Sequence, residues 1–271
     1  MLSEGFTEHS IRNSKGSVNP YVNWKDLANY EFLLPPKEQQ AKLAELLWAM
    51  DEVVEKESVI LQSLEIYKSS FDKKKFVLYR KSYKKIGDHT QKIGSGITPK
   101  GGSKVYQKTG IKFIRSQNVL SGDFNYDNIV YISEEIDNKM ASSRVKKLDV
   151  LLNITGASIG RCAIYSNSER ANVNQHVCII RTNKNELDPV FLCEFLNSKY
   201  GQVQIQILQA GGNREGLNFS NIRMIKIPNY TIEEQVQIKH DYLLIRKNMK
   251  KISNKIVISK TLQKSLINEV F

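Results

Sequence analysis

Two stretches of the chain space their apolar residues as helices do, and the stretch between them alternates as strands do. Residues 38–82 contain neither Pro nor Gly. Within them Leu43, Leu46, Met50, Val53, Ile60, Leu64, Tyr67 and Phe71 follow alternating steps of three and four, with Glu57 as the one polar member. This predicts a single long helix with a coiled-coil seam. A long amphipathic helix packed on a globular core is the plainer alternative. Residues 231–271 also lack Pro and Gly and are apolar at Ile238, Tyr242, Ile245, Met249, Ile252 and Ile256. The phase then slips before Leu262, Leu266 and Val270. The first half of the first helix is acidic (Glu38, Glu45, Asp51, Glu52, Glu55, Glu57), and the second helix is rich in Lys and Arg from Lys239 to Lys264. Opposite charges flanking a seam select an antiparallel pair, with Glu57 facing either a lysine of the partner helix or water.

The intervening residues 83–230 hold most of the glycines and a series of short runs rich in Ile, Val and Tyr. IKFIRSQNV, NIVYI, DVLLNI, RCAIY, HVCIIRT and FSNIRMIKIP read as strands, and 188–208 reads as one helix with Asp188 as its cap and Pro189 at its first position. Many short strands with one or two helices predict a compact α+β domain. The two long helices also begin alike, since a shift of 196 residues superimposes Glu38-Gln39 on Glu234-Gln235 and Lys68-Ser69 on Lys264-Ser265. Upstream, Val22-Asn23-Trp24 resembles Leu217-Asn218-Phe219. This suggests a repeat of large period.

Charge changes the picture. With 40 Lys and Arg against 28 Asp and Glu, the 271-residue chain carries a net +12, which favours a polyanionic partner, either nucleic acid or an anionic surface. Three widely spaced cysteines and four scattered histidines make neither a disulfide framework nor a zinc cage. The N-terminus has no signal-peptide pattern and no apolar run approaches the ~20 residues of a membrane span, so the expectation is a cytoplasmic protein with reduced thiols and no membrane partner.

Catalytic patterns are weak. Asn19-Pro20-Tyr21 lacks one proline of the amino-methyltransferase loop, and no glycine-rich donor loop precedes it. Asp137-Asn138-Lys139 is too small a fragment for a metal nuclease, and neither a phosphate loop nor a nucleophile elbow occurs. The glycine loops fit a nucleic-acid surface better. Residues 94–102 offer backbone amides and Lys100 to phosphates. Arg115, Gln117 and Asn118 end a strand with groups able to read guanine and adenine edges. Asn174, Gln175 and His176 form a second donor–acceptor cluster, and Ser158, Arg161 and Arg214 sit in two further glycine loops. Each loop read alone is as well explained as a turn or a cap.

Together, GSGITPKGG, FIRSQNVLSGDF, SRVKKLDVLLNITGASIGRCAIY, ANVNQHVCIIRT, FLCEFLNSKYGQ, GGNREGLNFSNIRMIKIP and the EEQ that follows resemble the specificity subunit of type I restriction–modification enzymes. The resemblance implies an α+β fold: one globular target-recognition domain plus two long antiparallel coiled-coil spacer helices. It divides the chain into 1–37, a remnant of the end of a first recognition domain; 38–82, a spacer helix; 83–230, the recognition domain; and 231–271, the C-terminal spacer helix. The family has two recognition domains, and here the body of the first is missing.

The implied function is sequence-specific binding of double-stranded DNA without catalysis, delivering methyltransferase and restriction subunits to a half-site. S-adenosylmethionine, ATP and Mg are expected only on those partner subunits, and none in this chain. The expected DNA-facing set is Lys100, Arg115, Gln117, Asn118, Ser158, Arg161, Asn174, Gln175, His176 and Arg214. A homodimer resembling one intact subunit is a further expectation. Two readings compete with this one: an enzyme acting on DNA alone, and a coiled-coil scaffold or inactive truncated subunit that binds partners without specific DNA recognition.

Overall fold

The computed structural model describes residues 3–77, 81–210 and 216–270. In chain order the helices are α1 (Glu4–Arg12), α2 (Trp24–Ala28), α3 (Lys37–Phe76), α4 (Glu134–Lys139), α5 (Pro189–Asn197), α6 (Lys199–Ala210), α7 (Phe219–Met224) and α8 (Ile232–Val270). The strands are β1 (Tyr83–Lys85), β2 (Thr90–Ser95), β3 (Ile111–Ile114), β4 (Val130–Ile132), β5 (Arg144–Val145), β6 (Val150–Asn153), β7 (Cys162–Ile164), β8 (Ala171–Val173), β9 (Val177–Thr182) and β10 (Lys226–Pro228). The chain divides into two compact units, Met1–Tyr67 with Ile245–Phe271, and Lys68–Leu244. None of the helices among the described residues is long and apolar enough to cross a membrane.

The first unit is an antiparallel helix pair with α1 and α2 beside it. Gln263 donates to Asp51 at 2.7 Å, and Ser259 donates to Glu57 at 3.4 Å, so residue numbers rise on one helix as they fall on the other. Lys255 lies 4.0 Å from the Glu57 carboxylate, so of the two alternatives left open by the sequence Glu57 faces a lysine of the other helix. The seam differs from the expected one at every second position. Leu43, Met50, Glu57 and Leu64 do face inward, but the alternate positions are Leu47, Val54 and Leu61, while Leu46, Val53 and Ile60 are about half exposed. Paired apolar residues at 46/47, 53/54 and 60/61 make both stripes equally hydrophobic, so spacing alone does not choose between them. On α8 the expected phase slip is absent. The buried face runs through Ile245, Met249, Ile252, Ile256, Ser259, Gln263, Leu266 and Val270, with polar residues continuing the heptad, and Leu262 is exposed. At its other end, α1 is tied to α8 by Glu4, whose backbone N–H donates to Asn268 and whose carboxylate pairs with Lys264 at 2.7 Å.

The second unit is layered. A central antiparallel sheet has the order β2-β9-β6-β7, and a second has the order β4-β3-β8-β5 with β3 and β8 parallel. Side-chain alternation splits the central sheet between two cores. Val150 and Leu152 of β6, with Cys178 and Ile180 of β9, pack on the helical side with Phe191, Phe195, Ile222 and Tyr242. Leu151, Val177 and Ile179 point the other way, into a core shared with Ile114, Val173 and Tyr165. The sheet is therefore apolar on both faces, which explains the continuous run of VLLN and VCII.

Two expected elements are corrected. The helix expected over 188–208 breaks at Ser198, whose extended backbone separates α5 from α6 and whose hydroxyl donates to Phe195 O at 2.6 Å. FSNIRMIKIP is a strand only at its end. Asn218 caps α7 by accepting the Asn221 N–H at 2.7 Å, and β10 follows, pairing with β1. The start of α8 is a capping box in which Thr231 and Glu234 exchange hydrogen bonds. The next residue, Gln235, is fully buried; it donates to Glu186 O and Tyr230 O and accepts from the Asp188 N–H, fixing the cap of α5.

Candidate nucleic-acid interface

Strand direction places four of the candidate loops, 94–102, 115–118, 155–161 and 174–176, on one rim. β2, β3, β6 and β8 all end there, and β7 and β9 begin there. The backbone joins the loops directly. Gly96 N–H donates to Asn174 O, Asn174 N–H to Ile114 O, Ile154 N–H to His176 O, and Gly160 N–H to Asn153 O, all at 3.0–3.2 Å. A Cβ at Gly96 would lie 1.7 Å from Val173 O, so this crossing requires glycine.

The candidates fare differently on this rim. Lys100, Gln117, Arg161 and Gln175 are exposed. Arg115 is half-buried: its Nη2 donates to Asn128 O at 2.7 Å, its guanidinium sits 5.5 Å from the Tyr106 ring centre, and its buried Nε faces no acceptor among the described residues. His176 is half-buried, with Nδ1 2.5 Å from the Thr155 hydroxyl and Nε2 3.3 Å from the Gln175 amide. Ser158 is half-buried and accepts from Asn153 Nδ2 at 3.2 Å. Arg214 lies outside the described residues.

Two candidates leave the accessible set. Asn118 is 1% exposed; its Oδ1 accepts the Arg115 N–H and its Nδ2 donates to Asn125 O, both at 3.0 Å. Asn174 is 7% exposed and its Oδ1 accepts the His176 N–H at 3.1 Å. Both shape the turns that present their neighbours, as Asx side chains do in turns.

Asn153 is the residue that motif reasoning missed. It is fully buried at the end of β6, and its Nδ2 reaches Ser116 O at 2.8 Å, Val119 O at 3.3 Å and Ser158 Oγ at 3.2 Å. One amide thus ties the turn carrying Gln117 to the turn carrying Ser158. Its Oδ1 has no partner among the described residues. The signal for it in the sequence is a lone polar residue inside the apolar run DVLLNI. Asp137, weighed above as a metal ligand, is fully buried and bound by Arg144 at 2.7 Å, Arg170 at 2.6 Å and Asn172 at 3.1 Å. Burial would raise its pKa, but the hydrogen bonds from Arg144, Asn172 and Arg170 outweigh that and hold the carboxyl below its ordinary value.

This arrangement has known relatives. Residues 81–266, more than half of the chain, match the type I restriction modification DNA specificity domain. The chain belongs to that family. It is 31% identical over 48% of its length to the Type I restriction enzyme EcoBI specificity subunit of Escherichia coli, a match that takes in 27% of that relative. It is 25% identical over 98% of its length to the Type I restriction enzyme MjaVIII specificity subunit of Methanocaldococcus jannaschii, covering 69% of it. The fold of the specificity family is seen again in the HsdS subunit from Thermoanaerobacter tengcongensis (TM-score 0.59, 17% identity, 99% of this chain and 67% of that one). The S subunit from M. genitalium shows it too (TM-score 0.62, 15% identity, 98% of this chain and 72% of that one).

Proposed function

We propose that the chain is a DNA-reading specificity subunit of a type I restriction–modification complex, directing methyltransferase and restriction subunits to a target half-site. The observation that carries this reading is the convergence of four loops, with Lys100, Arg115, Gln117, Arg161, Gln175 and His176, on one rim of a rigid sheet. Lys and Arg there position the phosphates, while Gln117, Gln175 and Arg115 have the donor and acceptor geometry to read base edges. The chain itself does no bond chemistry; methyl transfer and ATP-driven cleavage, with S-adenosylmethionine, ATP and Mg, belong to the partner subunits.

The methyltransferase subunit docks on the helix pair of the first unit. The exposed stripe of Leu46, Val53 and Ile60 on α3, and Val257, Ile258 and Leu262 on α8, supports this, because apolar residues left outside a filled seam are suited to a partner. The same stripe suits a second copy of the chain, and light scattering of the purified protein with and without the methyltransferase subunit separates the two.

Methylation mapped on genomic DNA in cells carrying the partner subunits tests the whole reading. Gln175→Ala and Arg161→Ala are expected to relax or abolish a bipartite methylation motif, and Leu46→Glu/Ile60→Glu to remove methylation without weakening DNA binding by the isolated chain. A chain that shows no salt-dependent duplex binding even with its methyltransferase partner present rejects the reading.

A further inference from the structure

The central sheet has a second rim, where β6 begins and β2 and β9 lie at their opposite ends, and the glycine loops do not reach it. β9 has six residues, so at ~3.3 Å per residue this rim is ~20 Å from the loops. The turn that leads into β6 is built around Asp149, which is 1% exposed. Arg181 grips its carboxylate through Nε and Nη2 at 2.8 and 2.7 Å, and the Lys146 N–H donates to it at 2.7 Å. Leu148 turns the chain with φ +74°, in the left-handed region that few non-glycine residues occupy. The result is a fixed turn with Lys146 and Lys147 exposed on it, facing Lys184 beyond the end of β9 across a cavity of about 320 Å³.

The charge balance of this cavity is one-sided. Asp149 is matched by Arg181, while Lys146, Lys147 and Lys184 have no ion-pair partner among the described residues. Nearby Lys92 on β2 is held below the ordinary lysine pKa, first by burial and then by the Arg181 charge, against an opposing pull from Asp149. Three uncompensated ammonium groups around a concavity repel one another, and a multivalent anion relieves that repulsion. Lysines serve phosphate as point charges, with no need of the planar match that a carboxylate–arginine pair has.

We infer that this cavity is a phosphate-binding site, separate from the loop rim. Its phosphates come either from a nucleic-acid backbone passing beyond the loops, which deepens the reading given under Proposed function, or from a free polyphosphate, which is independent of it.

The test compares the full chain with the variant Lys146→Gln/Lys147→Gln/Lys184→Gln, whose altered side chains are all exposed. Circular dichroism establishes that the variant is folded, and Lys146→Arg/Lys147→Arg/Lys184→Arg serves as the charge-retaining control. Two probes are titrated: inorganic tripolyphosphate by calorimetry, and a mixed-sequence 30-base-pair duplex by fluorescence anisotropy over a range of salt. If the source is DNA, the glutamine variant binds duplex at least tenfold more weakly and its slope of log affinity against log salt falls by about 2–3, close to 0.9 per lost phosphate contact. If the source is free polyphosphate, tripolyphosphate binding drops at least tenfold and duplex binding is unchanged. If the glutamine variant loses tripolyphosphate binding at least tenfold and the wild-type chain binds no duplex even with its methyltransferase partner present, the cavity is supported while the DNA reading is rejected. Affinities for both probes that agree within twofold between wild type and the glutamine variant overturn the inference.

Discussion

Two stretches of this chain begin alike and end in different surroundings. Val22-Asn23-Trp24 and Leu217-Asn218-Phe219 each place an asparagine at the start of a short helix, α2 in the first unit and α7 in the second. In and after α7, Ile222, Ile225 and Ile227 are fully buried, and β10 pairs with β1. Around and after α2, Trp24 is 80% exposed, Leu33 is 90% exposed and Leu34 is 67% exposed. The caps differ as well: Asn218 accepts the Asn221 N–H, whereas Asn23 makes no cap bond and donates to the Asp26 carboxylate at 3.3 Å. Similar local sequence therefore yields the same helix start in both places, but burial follows from the sheet that only the second stretch has beside it.

The largest effect expected from this contrast is on stability. Ile222→Ala removes a side chain from the helical-side core and should cost about 2–5 kcal/mol. Leu33→Ala, at an exposed position, should stay within about 0.5 kcal/mol. Urea unfolding of the two variants measures both. A Leu33 variant as damaged as the Ile222 variant would show that the N-terminal stretch is covered in solution, and the contrast would fail.

DNA reading sharpens the same contrast, because the second stretch adjoins the loop rim, where the Leu217 N–H donates to Ile154 O. Arg115→Ala is expected to weaken binding by about 1–3 kcal/mol and to relax selectivity at one base pair, if the guanidinium exchanges Asn128 O for a base edge. Trp24→Ser in the first stretch should leave selectivity unchanged. Affinities on target and single-substituted duplexes decide this, and an Arg115 loss of equal size on every duplex makes it a phosphate contact instead.

The caps supply a smaller comparison. Asn218→Ala loses a formed cap bond and should cost about 1 kcal/mol, while Asn23→Ala, with no such bond to lose, should cost only a few tenths. Equal costs for the two would mean that Asn23 caps α2 in solution.

The sequence made some levels of this molecule legible and concealed others for identifiable reasons. The long helices were readable because Pro and Gly are excluded from them over some forty residues. The seam was readable only to within one position, since adjacent apolar pairs such as Leu46-Leu47 serve either stripe. The α8 heptad looked broken at Ser259 and Gln263 because their polarity is matched on the other helix, by Glu57 and Asp51, and a partner's residues are invisible to periodicity. On the rim, residue type alone could not distinguish an Asn or Gln left exposed from one that builds a turn. Gln117 and Gln175 are exposed, while Asn118 and Asn174 hydrogen-bond to backbone within a few residues, a local competition that short Asx side chains usually win. Asn153 escaped because two of its three partners are backbone carbonyls 34 and 37 residues away.

The smallest expected effect concerns the polar breaks in the seam, which the apolar run Val150–Leu152 of β6 lacks. Gln263 is 4% exposed yet occupies a heptad position, and its amide is satisfied by Asp51, itself an exposed residue. A polar residue in a seam fixes register at a cost in stability. Gln263→Leu should therefore stabilise the helix pair by up to about 1 kcal/mol, since burying the larger apolar side chain outweighs one hydrogen bond whose acceptor can turn to water. The same change should loosen register, because the seam positions Ile245, Met249, Ile252 and Ile256 are apolar and a shift by one heptad would bring apolar residues together again. Spin labels at Glu45 and Lys260, both exposed, report the outcome: one sharp distance in the wild type and several in the variant, with a higher urea midpoint. A lower midpoint with an unchanged single distance would show that the Gln263–Asp51 bond stabilises the pair outright and that register is set elsewhere, at Glu57 and Lys255.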